Sequence, residues 1–446
     1  MVCKEDFQEL DSRRHIWNIW MFILSFVLSN IISGVIYDTY VNYLQEVARP
    51  VATSFWSYYG YATFISAMML LLVNRIGYKR ILIFCPITSF GAMISIIYGN
   101  SELLYKLMTV LSLVGLQLHY AVLAPYIAAH TSKLDKTLWY SRTYWIGYAG
   151  WTLMTYIGGA LTVSRFAARS GTTFSQAQEL TKYIEGLTPL LRNFYIKANM
   201  DVLFLTAVIA ALSAIPVVLI KELEEDYRFT QDGHQRDTLS YRMKMVYGVI
   251  KNKKAVAYTI YWALINFGMG LFTPYYTVFL NRNLHIDRAS ASLLVSISYM
   301  AVVIFIIFTP LAVKKFGQTM TLAGVLFLSI PFMLLIANGD RFGILMIPVV
   351  GISLFMRSGL ANLGSPIDSS LPMEIVSKDM RTTMSCLLSV VAGLASIVSG
   401  WFTGGYLFID ESGYKAAYYL AAGIYFVACI IILIVFTPGG ESSKDA

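Results

Sequence analysis

Apolar residues run along the chain in blocks of about 20, the length a helix needs to cross the hydrocarbon core of a bilayer. Short polar stretches separate them. Twelve spans are predicted, near 16–45, 54–74, 81–99, 103–129, 143–163, 200–220, 256–280, 289–312, 319–337, 342–364, 383–408 and 414–436. Six lie in residues 1–220 and six in 256–446, with a hydrophilic linker at 221–255 between them. The first span follows the charged stretch Lys4 to Arg14, is too long for a signal-peptide apolar region and lacks a small-residue cleavage site, so it is expected to be retained.

The two halves repeat one another. Asn30, Gly34, Tyr40 and Leu44 recur at the same spacing as Asn266, Gly270, Tyr276 and Leu280, 236 residues further on. Arg75 and Gly77 correspond to Lys315 and Gly317, Ser132 and Lys133 to Ser377 and Lys378, and Gly158-Gly159 to Gly404-Gly405. Collinear matches at apolar segments and their ends mark a duplicated membrane unit, which is the sequence sign of a transporter with two similar halves. The predicted fold is an all-α integral membrane protein, its twelve transmembrane helices arranged as two pseudo-symmetric six-helix bundles.

Two hydrophilic stretches interrupt the spans. In the linker, Tyr241, Met245 and Val249 fall at helical spacing and predict a short helix against the membrane or the bundle. In 164–199, Leu180, Tyr183, Ile184, Leu187, Leu191 and Phe194 recur every three or four residues. That pattern predicts an amphipathic helix, either lying in the interface or serving as a lid over the outer mouth.

Composition places the whole chain in lipid, because 57% hydrophobic and 13% charged residues are outside the range of a soluble domain. Of the 34 Lys and Arg residues, 22 fall in the segments that share a side with the termini and 11 in the others. The positive-inside rule therefore puts both termini in the cytoplasm. The net charge of +8 reflects this asymmetry against an anionic inner leaflet and needs no nucleic-acid partner. There is no GxxxxGK[ST] loop and no HExxH, and Cys3, Cys85, Cys386 and Cys429 show no paired spacing. Nucleotide-driven pumping and zinc hydrolysis drop out, no cofactor is expected, and an ion gradient or the solute's own gradient remains as the energy source.

Twelve spans in two halves joined by a cytoplasmic linker resemble the major facilitator superfamily, from about Trp17 to Phe436. Its loop signature between helices 2 and 3 is matched by Arg75, Gly77 and Lys79, while Leu70, Asn74 and Tyr78 depart from it. The fifth span is similar to the antiporter signature of the superfamily's drug exporters at Gly150, Gly158 and Gly159, but Met154-Thr155 stands where that signature has Gly-Pro. The resemblance implies a secondary transporter working by alternating access, with helices 1, 4, 7 and 10 lining a cavity between the halves. It leans toward an antiporter that exports its solute.

Polar groups on those helices are the candidate site. Asn30 and Asn266 are repeat partners near mid-membrane, able either to face a solute or to bond a neighbouring helix. Arg357 is the one Lys or Arg assigned inside a span and must be compensated there; its positional counterpart is His119, both being placed in the inner third. Asn362 is a possible tether for Arg357. Asp38, in the outer third among Tyr37, Tyr40 and Tyr43, is either a buried proton carrier or an exposed helix cap. With Tyr275 and Tyr276 these tyrosines would form one aromatic vestibule suited to cations. Asp368 lies on the face of Arg357 if the helix persists, about 16 Å away, as a second proton-carrying candidate. Inner-side gating is assigned to Arg75 and Gly77 and to two ion pairs, Asp135 with Arg142 and Glu374 with Arg381.

These readings predict proton-coupled export of a small organic or amphipathic solute by a monomer in the plasma membrane. Proton- or sodium-coupled uptake of a small organic anion is the alternative. A membrane sensor or lipid-handling protein of the same fold would be a different class altogether.

Overall fold

A computed structural model describes residues 4–70, 72–131, 136–226, 247–377 and 380–436, and they fold as helices joined by short turns. The first span is Lys4–Val35, continued by a π-helical turn at Ile36–Tyr40 and by Val41–Val47. Phe55–Leu70, Tyr78–Tyr98, Glu102–His130, Lys136–Ser170 and Pro189–Val218 complete the first six. The seventh is Lys253–Phe272, a 3₁₀ turn at Thr273–Tyr275, and Tyr276–Arg282. Arg288–Ile307, Gln318–Ala337, Met346–Leu363 with Ser365–Ile375, Arg381–Phe402 with a π turn at Thr403–Leu407, and Ser412–Phe436 follow as the eighth to twelfth. Among the described residues, ten helical segments are long and apolar enough to cross a membrane. The second helix falls short in length at 16 residues. The fifth is long but carries Arg, Tyr, Thr and Trp throughout.

Packing divides the chain into two compact units. The first comprises Met1–Ala52, Tyr61–Leu180 and Glu185–Thr230, and the second Thr53–Gly60, Thr181–Ile184 and Gln231–Ala446. In the first, spans 1 and 5 approach closely: a Cβ on Gly34 would sit 2.7 Å from the Trp151 carbonyl oxygen. Small residues permit such contacts, and bilayer packing rewards them. Gly150 faces Ile31 and Val27, and Gly158 faces Thr39, so these two fifth-span glycines are packing residues.

The second unit takes in two short segments from the first half of the sequence. The Thr53 carbonyl accepts from Tyr275 Oη (2.7 Å) and Thr403 Oγ1 (2.7 Å), and Ser57 Oγ donates to the Ile397 carbonyl at 2.8 Å. Thr181 receives Asn281 Nδ2 on its carbonyl (2.7 Å) and the Arg288 N–H on its hydroxyl (3.2 Å).

The single amphipathic helix expected in 164–199 is corrected. Span 5 continues to Ser170, a short helix covers Phe174–Thr181, Ile184–Gly186 is a 3₁₀ turn, and span 6 begins at Pro189. Two breaks cut the apolar periodicity: Gly171 in a left-handed conformation (φ 69°), and the Thr188-Pro189 start, where Thr188 Oγ1 accepts the Leu191 N–H. In the linker, Val249 is buried, whereas Tyr241 and Met245 lie outside the described residues.

Candidate functional site

In the second unit the tenth span carries Arg357 into a cage of aromatic rings. Its guanidinium lies over the Phe272 ring at 4.4 Å, Nη1 donates to Tyr276 Oη at 2.6 Å, and Nη2 donates to Tyr425 Oη at 3.0 Å. The residue is 3% exposed. No carboxylate among the described residues pairs with it, so tyrosine hydroxyls and ring faces are its whole compensation. Two donors in this cage remain without a hydrogen-bond partner among the described residues: Arg357 Nε and the hydroxyl of Tyr418.

The partners of Arg357 lie on the seventh and twelfth spans. Tyr276 follows the 3₁₀ turn of the seventh span and begins its last helical segment, Tyr276–Arg282, and the guanidinium reaches it there. Helical side chains lean toward the N-terminus of their helix, which for the tenth span is the end near Met346. The span also runs further than the apolar block, to Ile375. Asn362 does not tether Arg357: its Nδ2 donates to the Ser358 carbonyl at 2.9 Å.

Asp368 does not continue the face of Arg357, because the helix is interrupted at Gly364 and restarts with Pro366 near its first position. Pro366 lacks an N–H to continue the ladder. Thr309 Oγ1 takes up the Leu363 carbonyl at 2.8 Å. The break turns Asp368 toward the seventh span, where its Oδ1 accepts from Tyr258 Oη (2.9 Å) and Tyr261 Oη (3.0 Å). Nearby, Asn266 donates its Nδ2 to the Trp262 carbonyl at 2.8 Å.

In the first unit Asn30 makes the same intrahelical bond, to the Phe26 carbonyl at 2.8 Å, but its Oδ1 also accepts from Tyr120 Oη at 2.6 Å. Both ends of the Asn30 amide are thus engaged. His119 is equally committed, with Nε2 at 2.9 Å from Ser25 Oγ and Nδ1 at 3.2 Å from the Gly115 carbonyl.

Asp38 is not an exposed cap. It is 1% exposed inside the π turn, and the helix continues to Val47 beyond it. Thr39 Oγ1 donates to its Oδ2 at 3.3 Å. The π turn adds a residue to one helical turn and so re-aims the side chains within it, a feature frequent at functional sites.

Each of the vestibule tyrosines has partners within its own unit. Tyr37 stacks on Trp151 (5.1 Å), Tyr40 Oη lies 2.5 Å from Thr109 Oγ1, and Tyr43 meets Tyr105 edge-on. Tyr275 packs on Phe408 and Tyr414, and Tyr276 serves Arg357.

The expected ion pair of Glu374 with Arg381 is not formed. Glu374 accepts from Gln318 Nε2 at 3.1 Å, and Arg381 Nε donates to the Met373 carbonyl at 2.9 Å. Gln318 of the ninth span takes up the Glu374 carboxylate, and Arg381 turns instead to the backbone carbonyl beside Glu374. Asp135 lies outside the described residues; Arg142 sits over the Trp139 ring at 5.1 Å. The side chain of Arg75 is likewise not described, but Gly77 is, with φ 86°. The N–H groups of Tyr78 and Lys79 that follow it are capped by Glu222 at 2.6 and 3.2 Å. Burial pushes the Glu222 carboxyl above the ordinary glutamate range, and the two backbone donors pull against that shift.

Sequence reasoning missed the hydroxyl partners Tyr120, Tyr258, Tyr261 and Tyr425, and Tyr418 beside them in the Arg357 cage. A signal was present for four of them. Tyr258 and Tyr261 are spaced i, i+3, and Tyr418 and Tyr425 i, i+7, so each pair shares one helical face.

The helical architecture and the polar groups buried within the spans define a multi-pass membrane protein. Residues 258–446 match the Major Facilitator Superfamily model. Solved structures share the fold across nearly the whole chain. A mutant of the nucleoside transporter NupG is 14% identical, with a TM-score of 0.71 over 94% of this chain and 100% of its own. The xylose transporter XylE from E. coli, in a partially occluded inward-open conformation, is 12% identical with a TM-score of 0.65 over 97% and 100%. A bacterial homologue of the human lysosomal transporter Spinster is 14% identical with a TM-score of 0.63 over 96% and 99%. No curated protein sequence matches the chain. The sequence match to that superfamily is thus carried by the second half of the chain, and the likeness in fold by nearly its full length.

Proposed function

We propose that the chain is a secondary active transporter that moves a small organic anion, or a solute presenting equivalent acceptor oxygens, by proton-coupled alternating access. The carrying observation is Arg357, a buried guanidinium with no carboxylate partner among the described residues and with Nε and the Tyr418 hydroxyl unspent beside it. A fixed charge at that depth costs several kcal/mol. A substrate oxyanion that reached the cage as the helices rearranged would supply the missing counter-charge and accept from both unspent donors. Asp368, whose Oδ1 accepts from two phenolic hydroxyls, is the carboxylate we assign to the coupling proton. Proton-driven solute movement is also what the D-xylose-proton symporter, similar in fold with a TM-score of 0.61, is named for.

For direction we favour uptake over export, since contacts of Gly150 with Val27 and Ile31 and of Gly158 with Thr39 account for those two fifth-span glycines by packing alone. On the basic-residue asymmetry we place the protein in the plasma membrane with both termini cytoplasmic.

Purified protein in liposomes, driven by a pH gradient, tests this against a panel of carboxylates, sugar acids and phosphorylated sugars beside neutral sugars and nucleosides. Gradient-driven accumulation of an anionic member is the expected result. Accumulation confined to neutral or cationic solutes, or indifferent to the pH gradient, overturns it.

A further inference from the structure

At the end of the first unit that carries the start of span 1 and the end of span 4, three ligand-type side chains converge. His15 lies about three turns into span 1, at the start of its apolar stretch, His130 is the last helical residue of span 4, and Asp226 lies just beyond span 6. One ligand atom from each lies within 4.8 Å of the other two, and His15 Nδ1 and His130 Nδ1 are 2.8 Å apart. His130 and Asp226 are buried at 5% and 7% exposure. We propose that these residues form a binding site for a first-row divalent cation of the zinc class, independent of the solute pathway.

The donor set fits that class. Two imidazoles with one carboxylate is a common ligation for zinc and its neighbours, and it leaves a position open. Ligand atoms around a tetrahedral ion at about 2.0–2.1 Å lie roughly 3.3 Å apart, so the two Nδ1 atoms need separate by only about half an ångström and Asp226 needs to close in. Asp226 has the means: Arg14 Nη1 (2.7 Å) and the Leu223 N–H (2.9 Å) both bond to its Oδ2, leaving Oδ1 for a further partner. One proton must move. A single Nδ1–H bridges the two rings now, and coordination through both Nδ1 atoms requires that proton to pass to Nε2 of the same ring. If that ring is His15, the 3.4 Å contact between Arg14 Nη2 and His15 Nε2 gives way.

The surroundings hold the ligands in place as a second shell does. Asn18, one turn after His15, clamps the post-span-6 segment by a reciprocal pair: Nδ2 to the Lys221 carbonyl and Oδ1 from the Lys221 N–H, both 2.8 Å. Trp17 Nε1 adds a bond to the Leu219 carbonyl at 3.0 Å. Tyr126 packs edge-on against His130, with ring centroids 4.5 Å apart, and its hydroxyl donates to the Asn18 carbonyl at 3.3 Å. These bonds bring Asp226 to the two rings without a metal. A bound ion would then tie the ends of spans 1 and 4 to the segment after span 6.

The test uses the full chain in detergent without a histidine tag and cobalt(II) as the probe, followed by zinc displacement. Saturable binding of one cobalt per chain with visible d–d absorption, removed by zinc, is expected, together with a rise in melting temperature at saturating zinc. His130→Ala and His15→Gln should each weaken binding at least tenfold, and His119→Gln, buried elsewhere in the same unit, should leave it unchanged. The melting temperature of each variant without metal separates lost binding from lost folding. Absence of cobalt binding to the folded wild-type chain overturns the site, as does binding that survives in both His15→Gln and His130→Ala.

Discussion

Gly77 and Gly317 stand 240 residues apart and adopt one backbone conformation, φ 86° and ψ 161° in the first, φ 77° and ψ 165° in the second. Each donates its N–H to the carbonyl four residues back, Val73 and Val313, at 2.8 Å, and each is followed at once by a new helix. This region of backbone space is essentially closed to residues with a Cβ. The duplication therefore preserves a hinge of defined geometry after the second and eighth spans as well as a motif.

Gly317→Ala should destabilise the protein by about 1–3 kcal/mol, although nothing lies within 4 Å of the added Cβ, since the cost is backbone strain alone. Gly324→Ala, in a helix and equally open, should be neutral or stabilising by up to about 1 kcal/mol. Melting temperatures in one detergent decide this, and equal behaviour of the two variants would remove strain as the explanation.

Arg357→Ala should abolish transport at normal membrane abundance. Arg357→Lys should keep part of it, because the charge survives but a single ammonium cannot reproduce the fork that joins Tyr276 and Tyr425. Tyr425→Phe, which removes one of the two hydroxyl acceptors, should cost about 1 kcal/mol in stability. Flux measurements on all three sort charge from geometry, and full flux in Arg357→Ala would end its functional role.

Asn30→Ala removes two bonds and should lower stability by about 1–2 kcal/mol with little effect on solute affinity. Asn266→Ala removes one intrahelical bond and should lower stability less, while weakening affinity more. The reverse order in paired melting and binding measurements would exchange the roles of the two repeat partners.

Asp368→Asn should lose pH-driven accumulation yet retain exchange of solute for solute, which needs no net protonation change. Asp38→Asn should retain both if Asp38 serves only its π turn. Should Asp38→Asn be the variant that uncouples, the proton site belongs to the first unit.

Glu222, outside the spans, carries a carboxyl raised above its ordinary value, so the folded state holds its proton more tightly than the unfolded state. Stability from this group is therefore greatest below the ordinary glutamate range and is lost as pH rises through the raised value. Glu222→Gln keeps an acceptor for the Tyr78 N–H and should flatten the part of the stability profile that lies just above the ordinary glutamate range. An unchanged profile would show that another group supplies the slope.

Length and hydropathy determined the spans, their division into two halves and the repeat that relates them, because crossing a bilayer requires about 20 consecutive apolar residues whatever their partners. The same reasoning singled out Arg357, since a lone cation in an apolar block is costly wherever it points. What surrounds Arg357 could not be read that way. Its rings and hydroxyls come from Phe272, Tyr276 and Tyr425 on two other spans, and linear periodicity does not say which helix face meets which. Tertiary structure likewise decided that Asp38 is buried, through a π turn that carries the helix on to Val47, and that Asp368 meets Tyr258 and Tyr261, through a break at Gly364. Irregular turns redirect side chains at single residues, whereas hydropathy averages over whole spans.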